Sequence, residues 1–385
     1  MYYKKGFPKY KCTYAVRRRN CKTLEIFGEQ KTLAEYEFSD PAAYQSMRLL
    51  KAGIGYVFIE MTDTKGIVTF LSDQLEEENK VEINSSTFNA IKCKVCYFAL
   101  ANSDRSILIG FSDRALGPLN AVKNKILRLT DQGELFWYET ALTDSESSLA
   151  SHGSYHYNVK TEQLTWTFFA RSKEKYGYGI VKWDSDGRLV SNQVVPLGFE
   201  NIFKNEPEII SYFKANKLST TDIWGRLDYA ASIRLMNHEK EEYIVIQKPH
   251  GTYELISATY IVKIDEDGNP EWIKPILSEI RDPMNFTSAK PYFRNGKMNL
   301  LIADYSTNTK KNEHVNLSFR KEGATVSFFN LVLEPKDGSE IIHDKYSFTT
   351  ETGVQLTNIL VDEKTHQAVI EILKGKELSY KKLKL

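Results

Sequence analysis

Short runs rich in Val, Ile, Phe, Tyr and Thr alternate apolar and polar residues along most of the chain, separated by Gly, Asn and Asp turns. A period of two sends successive side chains to opposite faces, so these runs read as strands. They also come in pairs. One hairpin with a short charged turn recurs as YFALANSDRSILIGFSD, YNVKTEQLTWTFFARS, IRLMNHEKEEYIVIQ, YFRNGKMNLLIADY and ILVDEKTHQAVIEILKG. Between these lies a second hairpin: ILRLTDQGELFWYETAL, GIVKWDSDGRLVSNQVV, TYIVKIDEDGNPEWIKPIL and NLVLEPKDGSEIIHDKYSF. Its turn holds Gly133, Gly187, Gly268 or Gly338, where a tight hairpin needs positive φ. Two hairpins make one four-stranded antiparallel sheet, repeating at about 65 residues, and such a sheet cannot bury both faces alone.

Over 385 residues that repeat gives close to six units. The pattern resembles the β-propeller superfamily across nearly the whole chain, in its strand grouping and its D-G turns, with Trp137 and Trp272 four residues past Gly133 and Gly268. The resemblance implies one all-β domain spanning 1–385, with six blades, or seven, packed face to face around an axis. It includes no WD dipeptides at propeller spacing, no double-glycine kelch pattern and no complete Asp box. The last unit, from Val354, has room for three strands, so CKTLEIFG or TLAEYEF near the N-terminus is expected to supply its fourth. The two chain ends would then share a blade and remove the open edges. Two helical insertions are also expected. Asp40 as N-cap, Pro41 and Gly53 bracket a helix in SDPAAYQSMRLLKAG, and NEPEIISYFKANK opens another after Asn205, within an insertion over 200–226.

Charge excludes some partners. With 51 Lys plus Arg against 50 Asp plus Glu, no global field draws the chain to nucleic acid or an anionic membrane. No apolar run approaches the roughly 20 residues that span a bilayer. A soluble protein without an export signal is expected, either cytoplasmic or exported with its signal removed. Local charge is less even. The arm 1–22 is basic and free of acids, and Arg17, Arg18 and Arg19 would meet Lys381 and Lys382 of the tail in a seam if the ends join. Such a seam suits a polyanion, although a solubilising edge is the favoured reading.

The chemistry-bearing residues argue for recognition. Cys93 and Cys96 lie on a strand pattern that sends them to opposite faces, which opposes zinc. Asp184-x-Asp186-Gly187 and Asp265-x-Asp267-Gly268 read as hairpin turns, since a calcium loop needs its glycine at position 6. His152 and His156 on a strand stand roughly 13 Å apart and share no ligand. No metal or cofactor is expected, and no nucleophile or nucleotide-binding motif occurs. In a propeller the loops 143–153, 196–228, 249–256 and 277–289 converge on one face. They carry His152, Trp224, Arg226, His250, Tyr253, Arg281 and Asp282, a mixed set suited to binding a protein or glycan partner. A non-enzymatic binding or scaffold module is therefore the expected function. The rivals are a glycan-active enzyme and a polyanion binder. An enzyme of that kind needs facing carboxylates, whereas the first strands supply Tyr97, Tyr155, Tyr157, Arg234 and Tyr292.

Overall fold

The computed structural model describes residues 10–19, 26–38, 46–61, 66–83, 95–112, 124–140, 151–172, 175–197, 211, 232–248, 257–278, 289–305, 325–349, 354–363, 365–374 and 376–385. These residues form antiparallel β-sheets in sequence order. The first four-stranded sheet is β3 (Ser46–Ala52), β4 (Gly55–Met61), β5 (Gly66–Leu71) and β6 (Glu77–Ile83). The second is β7 (Val95–Ala101), β8 (Ile107–Ser112), β9 (Asn124–Leu129) and β10 (Leu135–Thr140). The third is β11 (Ser151–Asn158), β12 (Gln163–Ser172), β13 (Lys175–Trp183) and β14 (Leu189–Pro196). The fourth is β15 (Ser232–His238), β16 (Glu241–Lys248), β17 (Ser257–Ile264) and β18 (Pro270–Ser278). The fifth is β19 (Ala289–Arg294), β20 (Lys297–Tyr305), β21 (Thr325–Leu333) and β22 (Glu340–Thr349). A three-stranded sheet follows: β23 (Val354–Asp362), β24 (Gln367–Lys374) and β25 (Glu377–Lys384). This serial order of up-and-down sheets is the all-β propeller architecture.

Apolar cores sit between consecutive sheets. Val57, Val68 and Phe70 of the first sheet pack with Ile107 and Leu127 of the second. Leu108 and Tyr138 pack with Trp166 and Trp183 of the third. Tyr243 and Val245 pack with Leu300 and Leu331 of the fifth, whose other face, with Leu301 and Phe328, meets Ile359 and Ile370. Each fully buried side chain of this size contributes about 1.5–3 kcal/mol, so both faces of the middle sheets stabilise the fold. Among the described residues, no helix is long and apolar enough to cross a membrane.

A second device links the sheets. The turn between the third and fourth strands of each four-stranded sheet after the first rests on the outer strand of the sheet before it. Asn79 of β6 donates to Asp131 O at 2.6 Å, and Gly187 lies beside Trp137 and Tyr138 of β10. Gln193 of β14 donates to Asp267 O, and Trp272 Nε1 of β18 donates to Pro335 O at 3.0 Å. The D-x-D-G runs are hairpin turns as expected. Gly187 N donates to Asp184 O and Asp184 N to Arg188 O, while the Asp265 carboxylate accepts from Asn269 N. The four turn glycines all take positive φ.

Two expectations are corrected. Residues 46–52 are not helical. Gly53, with φ of +55°, sits in the hairpin turn that pairs Ala52 with Gly55, and the ladder runs back to Ser46 opposite Met61. The helix signals there were local, and strand pairing overrides them because it buries both sides of the segment. Leu49 faces one cluster and Leu50 another. Nor, among the described residues, does an N-terminal strand join the last sheet. β1 (Tyr10–Arg19) and β2 (Ile26–Phe38) pair with each other as a two-stranded sheet, separate from β23–β25. The physical reason is the free face of the first sheet. Tyr14, Val16, Leu33 and Ala34 of this hairpin cover Phe58, Leu71 and Leu75. Asp40 and Pro41 lie outside the described residues, as does the insertion 200–226 except for Ser211, which is helical.

Candidate functional site

The fifth sheet carries a polar cavity of about 330 Å³ lined from all four strands. Arg294, Asn295, Lys297 and Asn299 come from the β19–β20 hairpin, Asn330 and Val332 from β21, and His343 and Lys345 from β22. Pairing explains why they converge. Asn330 stands opposite both Leu301 and His343, and Asn299 opposite both Tyr292 and Val332. Directly opposed residues share a face, and Tyr292 and Leu301 place that face toward β23–β25. His343 and Lys345, two residues apart on β22, both reach the cavity, and a register shift opposite Phe328 and Phe329 leaves Lys345 as the extra residue of a bulge.

The cavity floor is a satisfied polar network. Asn299 and Asn330 are each 3% exposed. The Tyr292 hydroxyl donates to Asn330 Oδ1 at 2.6 Å, Asn330 Nδ2 donates to Asn299 Oδ1 at 3.0 Å, and Asn299 Nδ2 donates to Lys297 O at 2.9 Å. Burial pushes the Tyr292 phenol up to about 12, with the Arg294 charge opposing. Around this floor stand Arg294, Lys297, His343 and Lys345, and among the described residues no carboxylate is in the lining. Lys297 is paired outside it with Glu334. Arg294, Lys297 and Lys345 are cations around a neutral hydrogen-bonding floor, a setting that attracts and orients a carboxylate, phosphate or sulfate.

A second cationic locus lies on first strands. Arg234 of β15 has its Nε buried with no hydrogen-bond partner, and burial lowers its pKa while Glu363 opposes. Burial and the Arg234 charge together hold the Lys290 ammonium below its usual range. His156 of β11 is lowered by burial. Among the described residues, no group of three or more His, Cys, Asp or Glu could hold a metal.

The residues singled out from sequence fall elsewhere. Trp224, Arg226, His250, Tyr253, Arg281, Asp282 and Cys93 lie outside the described residues, and His152 is described only as backbone of β11. Arg17, Arg18 and Arg19 are in β1, while Lys381 and Lys382 are in β25, a strand of a different sheet. Lys381 Nζ stands 4.8 Å from the Tyr346 ring, so it is held against β22. Trp183 and Trp272 pack between sheets, as expected. Sequence reasoning passed over Asn299 and Asn330. Their signal was a polar side chain inside the apolar runs NLLIADY and FFNLVL, since a buried amide implies a network.

No protein-family model matches the chain, and no curated protein matches it. Solved structures are similar to the chain at low identity. Hydrazine synthase from Kuenenia stuttgartiensis is 9% identical over 95% of this chain and 89% of that one, with a TM-score of 0.41. A protein from Lactobacillus plantarum is 11% identical over 98% and 96%, with a TM-score of 0.37. The α-L-arabinanase of Cellvibrio cellulosa, complexed with arabinohexaose, is 10% identical over 78% and 95%, with a TM-score of 0.31.

Proposed function

We propose that this protein is a binding module of the propeller type, recognising a protein or glycan partner through an anionic group held in the cavity on β19–β22. The observation that carries this reading is the convergence of Arg294, His343 and Lys345 on a cavity whose floor is the Asn299–Asn330 amide pair, with no carboxylate among the described lining residues. The guanidinium offers a planar fork for two oxygens, and the ammonium adds a point charge. The loops bearing Trp224, Arg226, His250, Tyr253, Arg281 and Asp282 form a second contact surface in this reading, one that sets partner choice.

The test is calorimetric titration with inorganic sulfate and with tetraglutamate, on the full chain and on the double variant Arg294→Gln, Lys345→Gln. Affinity is expected to fall at least about tenfold in the variant and to weaken with added sodium chloride. Equal affinity in both chains, or no heat from either probe, overturns the reading. Circular dichroism of the variant checks that its fold is retained.

A further inference from the structure

The first strands of neighbouring sheets lie side by side, β3 with β7, β11 with β15 and β19 with β23, so they form the inner wall of the propeller. Hairpin register gives them an equivalent position. Counting back four residues from the last paired residue of each strand reaches Arg48 on β3, Ser154 on β11, Arg234 on β15, Lys290 on β19 and Asn358 on β23. β7 departs from the pattern at this level, where a register shift falls between Cys96 and Phe98.

Their neighbours on the same strands fix which way these residues face, because alternate residues point to opposite sides. Leu50, Met236 and Tyr292 pack with the following sheet, and Arg48, Arg234 and Lys290 share their faces. Tyr155 and Ile359 pack with the preceding sheet, so Ser154 and Asn358 face forward as well. Four consecutive first strands therefore present an arc of hydroxyl, guanidinium, ammonium and amide, with the two cations in the middle and a neutral hydrogen-bonding group at either end. No carboxylate occupies an equivalent position.

The cations at the centre lack a counter-group of their own. Arg234 Nε is buried with no hydrogen-bond partner among the described residues, which is costly for a charged donor. Glu363, the carboxylate that acts on Arg234, accepts from Phe293 N at 3.3 Å. The Arg234 charge, together with burial, holds the Lys290 ammonium below its usual range. Two half-buried cations that repel each other favour an anion placed between them. This locus is separate from the cavity described above: Lys290 and Arg294 are four residues apart on β19, roughly 13 Å along the strand.

We infer that Arg234 and Lys290 hold the carboxylate of a small polyhydroxy acid at the inner wall of the propeller, with Ser154 and Asn358 on either side taking its hydroxyl groups. The guanidinium supplies a fork for the two carboxylate oxygens and the ammonium a point charge. The flanking hydroxyl and amide can each donate and accept, which suits alcohol groups on a short carbon chain.

The probe is D-gluconate, titrated calorimetrically into the full chain, with acetate as the carboxylate that lacks hydroxyls. Gluconate is expected to bind, and acetate to bind at least about tenfold more weakly. Arg234→Gln and Lys290→Gln should each weaken gluconate at least about tenfold, whereas the Arg294→Gln, Lys345→Gln pair should leave its affinity unchanged. Binding is also read at Lys290 itself. Its acetylation by acetic anhydride, followed by mass spectrometry, should slow when gluconate is added, because a carboxylate beside the ammonium favours the protonated form. Arg234→Gln removes a buried charged donor without a partner, so its urea midpoint is expected to hold or rise. A clear fall in that midpoint assigns Arg234 to the fold and overturns the inference, as does the absence of heat from gluconate or of protection at Lys290. If gluconate and acetate bind alike, the hydroxyl contacts of Ser154 and Asn358 are overturned. If only the Arg294→Gln, Lys345→Gln pair weakens gluconate, the inference falls and the cavity on β19–β22 keeps its reading as an anion site.

Discussion

Gly338 stands so close to the indole of Trp272 that a Cβ on it would lie 2.9 Å from the ring, and Trp272 Nε1 in turn donates to Pro335 O, three residues before that glycine. The turn and the tryptophan belong to adjacent sheets, so this contact fixes how the fourth sheet meets the fifth. Gly338 also has a φ of +70°, a conformation that side chains resist. Gly338→Ala therefore meets two penalties, and a loss of about 1–3 kcal/mol is expected in urea unfolding. Combining it with Trp272→Leu should recover part of that loss, because the steric share disappears.

The third and fourth sheets are joined by a buried charge. Lys182 Nζ lies 2.9 Å from Glu242 Oε2 and donates to Glu266 O at 3.2 Å, with its side chain 8% exposed. Removing only the acid strands the ammonium. Glu242→Gln should cost about 1–3 kcal/mol, somewhat less than a fully buried pair because Glu242 is partly exposed. Lys182→Met should cost less than Glu242→Gln, since it removes the charge that needed a partner. Equal losses in chemical denaturation would contradict this ordering.

Acid should weaken the fold through His156. Burial lowers its pKa below the ordinary 6.5, so the unfolded chain takes up its proton at a higher pH than the folded chain does. Stability is then complete above 6.5 and falls as pH drops through the lowered value. His156→Gln is expected to flatten this part of the stability profile between neutral and mildly acidic pH, measured as urea midpoints. An unchanged slope would count against the buried neutral imidazole.

Alkali should act through buried phenols. Tyr157, Tyr243 and Tyr292 are each pushed from 10.0 up to about 12, with burial the leading cause. A raised phenol pKa means that the unfolded chain ionises first. Stability is present below 10.0 and is lost as pH rises toward about 12. Tyrosinate absorbance is expected to show a late group of phenols whose ionisation coincides with loss of the near-ultraviolet dichroism. Independent ionisation without unfolding would show that these rings are solvated.

The amide floor of the cavity should be more sensitive than its rim. Asn330→Ala removes the acceptor of Tyr292 and the donor to Asn299 together, both buried. A loss of about 2–4 kcal/mol is expected, from two unmade buried hydrogen bonds. Lys345→Gln at the rim should change stability by less than about 0.5 kcal/mol. Thermal unfolding of the two variants separates a structural floor from a binding rim.

The strands, the hairpin pairs and the turn glycines were legible in the amino-acid sequence because each is encoded within a few residues: alternation sets the face, and Gly133, Gly187, Gly268 and Gly338 set the turn. The inter-sheet roles of Trp183 and Trp272 followed from the same repeat. Tertiary structure decided what local signals cannot carry. Asp40, Pro41 and Gly53 spell a helix, yet the segment 46–52 is a strand because its partner β4 and two apolar clusters lie outside any local window. Likewise, β1 and β2 could complete the last sheet on strand count alone, but the uncovered Phe58 and Leu71 drew them to the first. The cavity has the same origin. Arg294, Asn330 and His343 become neighbours only once four strands are in register, since residues far apart in the chain meet through pairing and not through spacing.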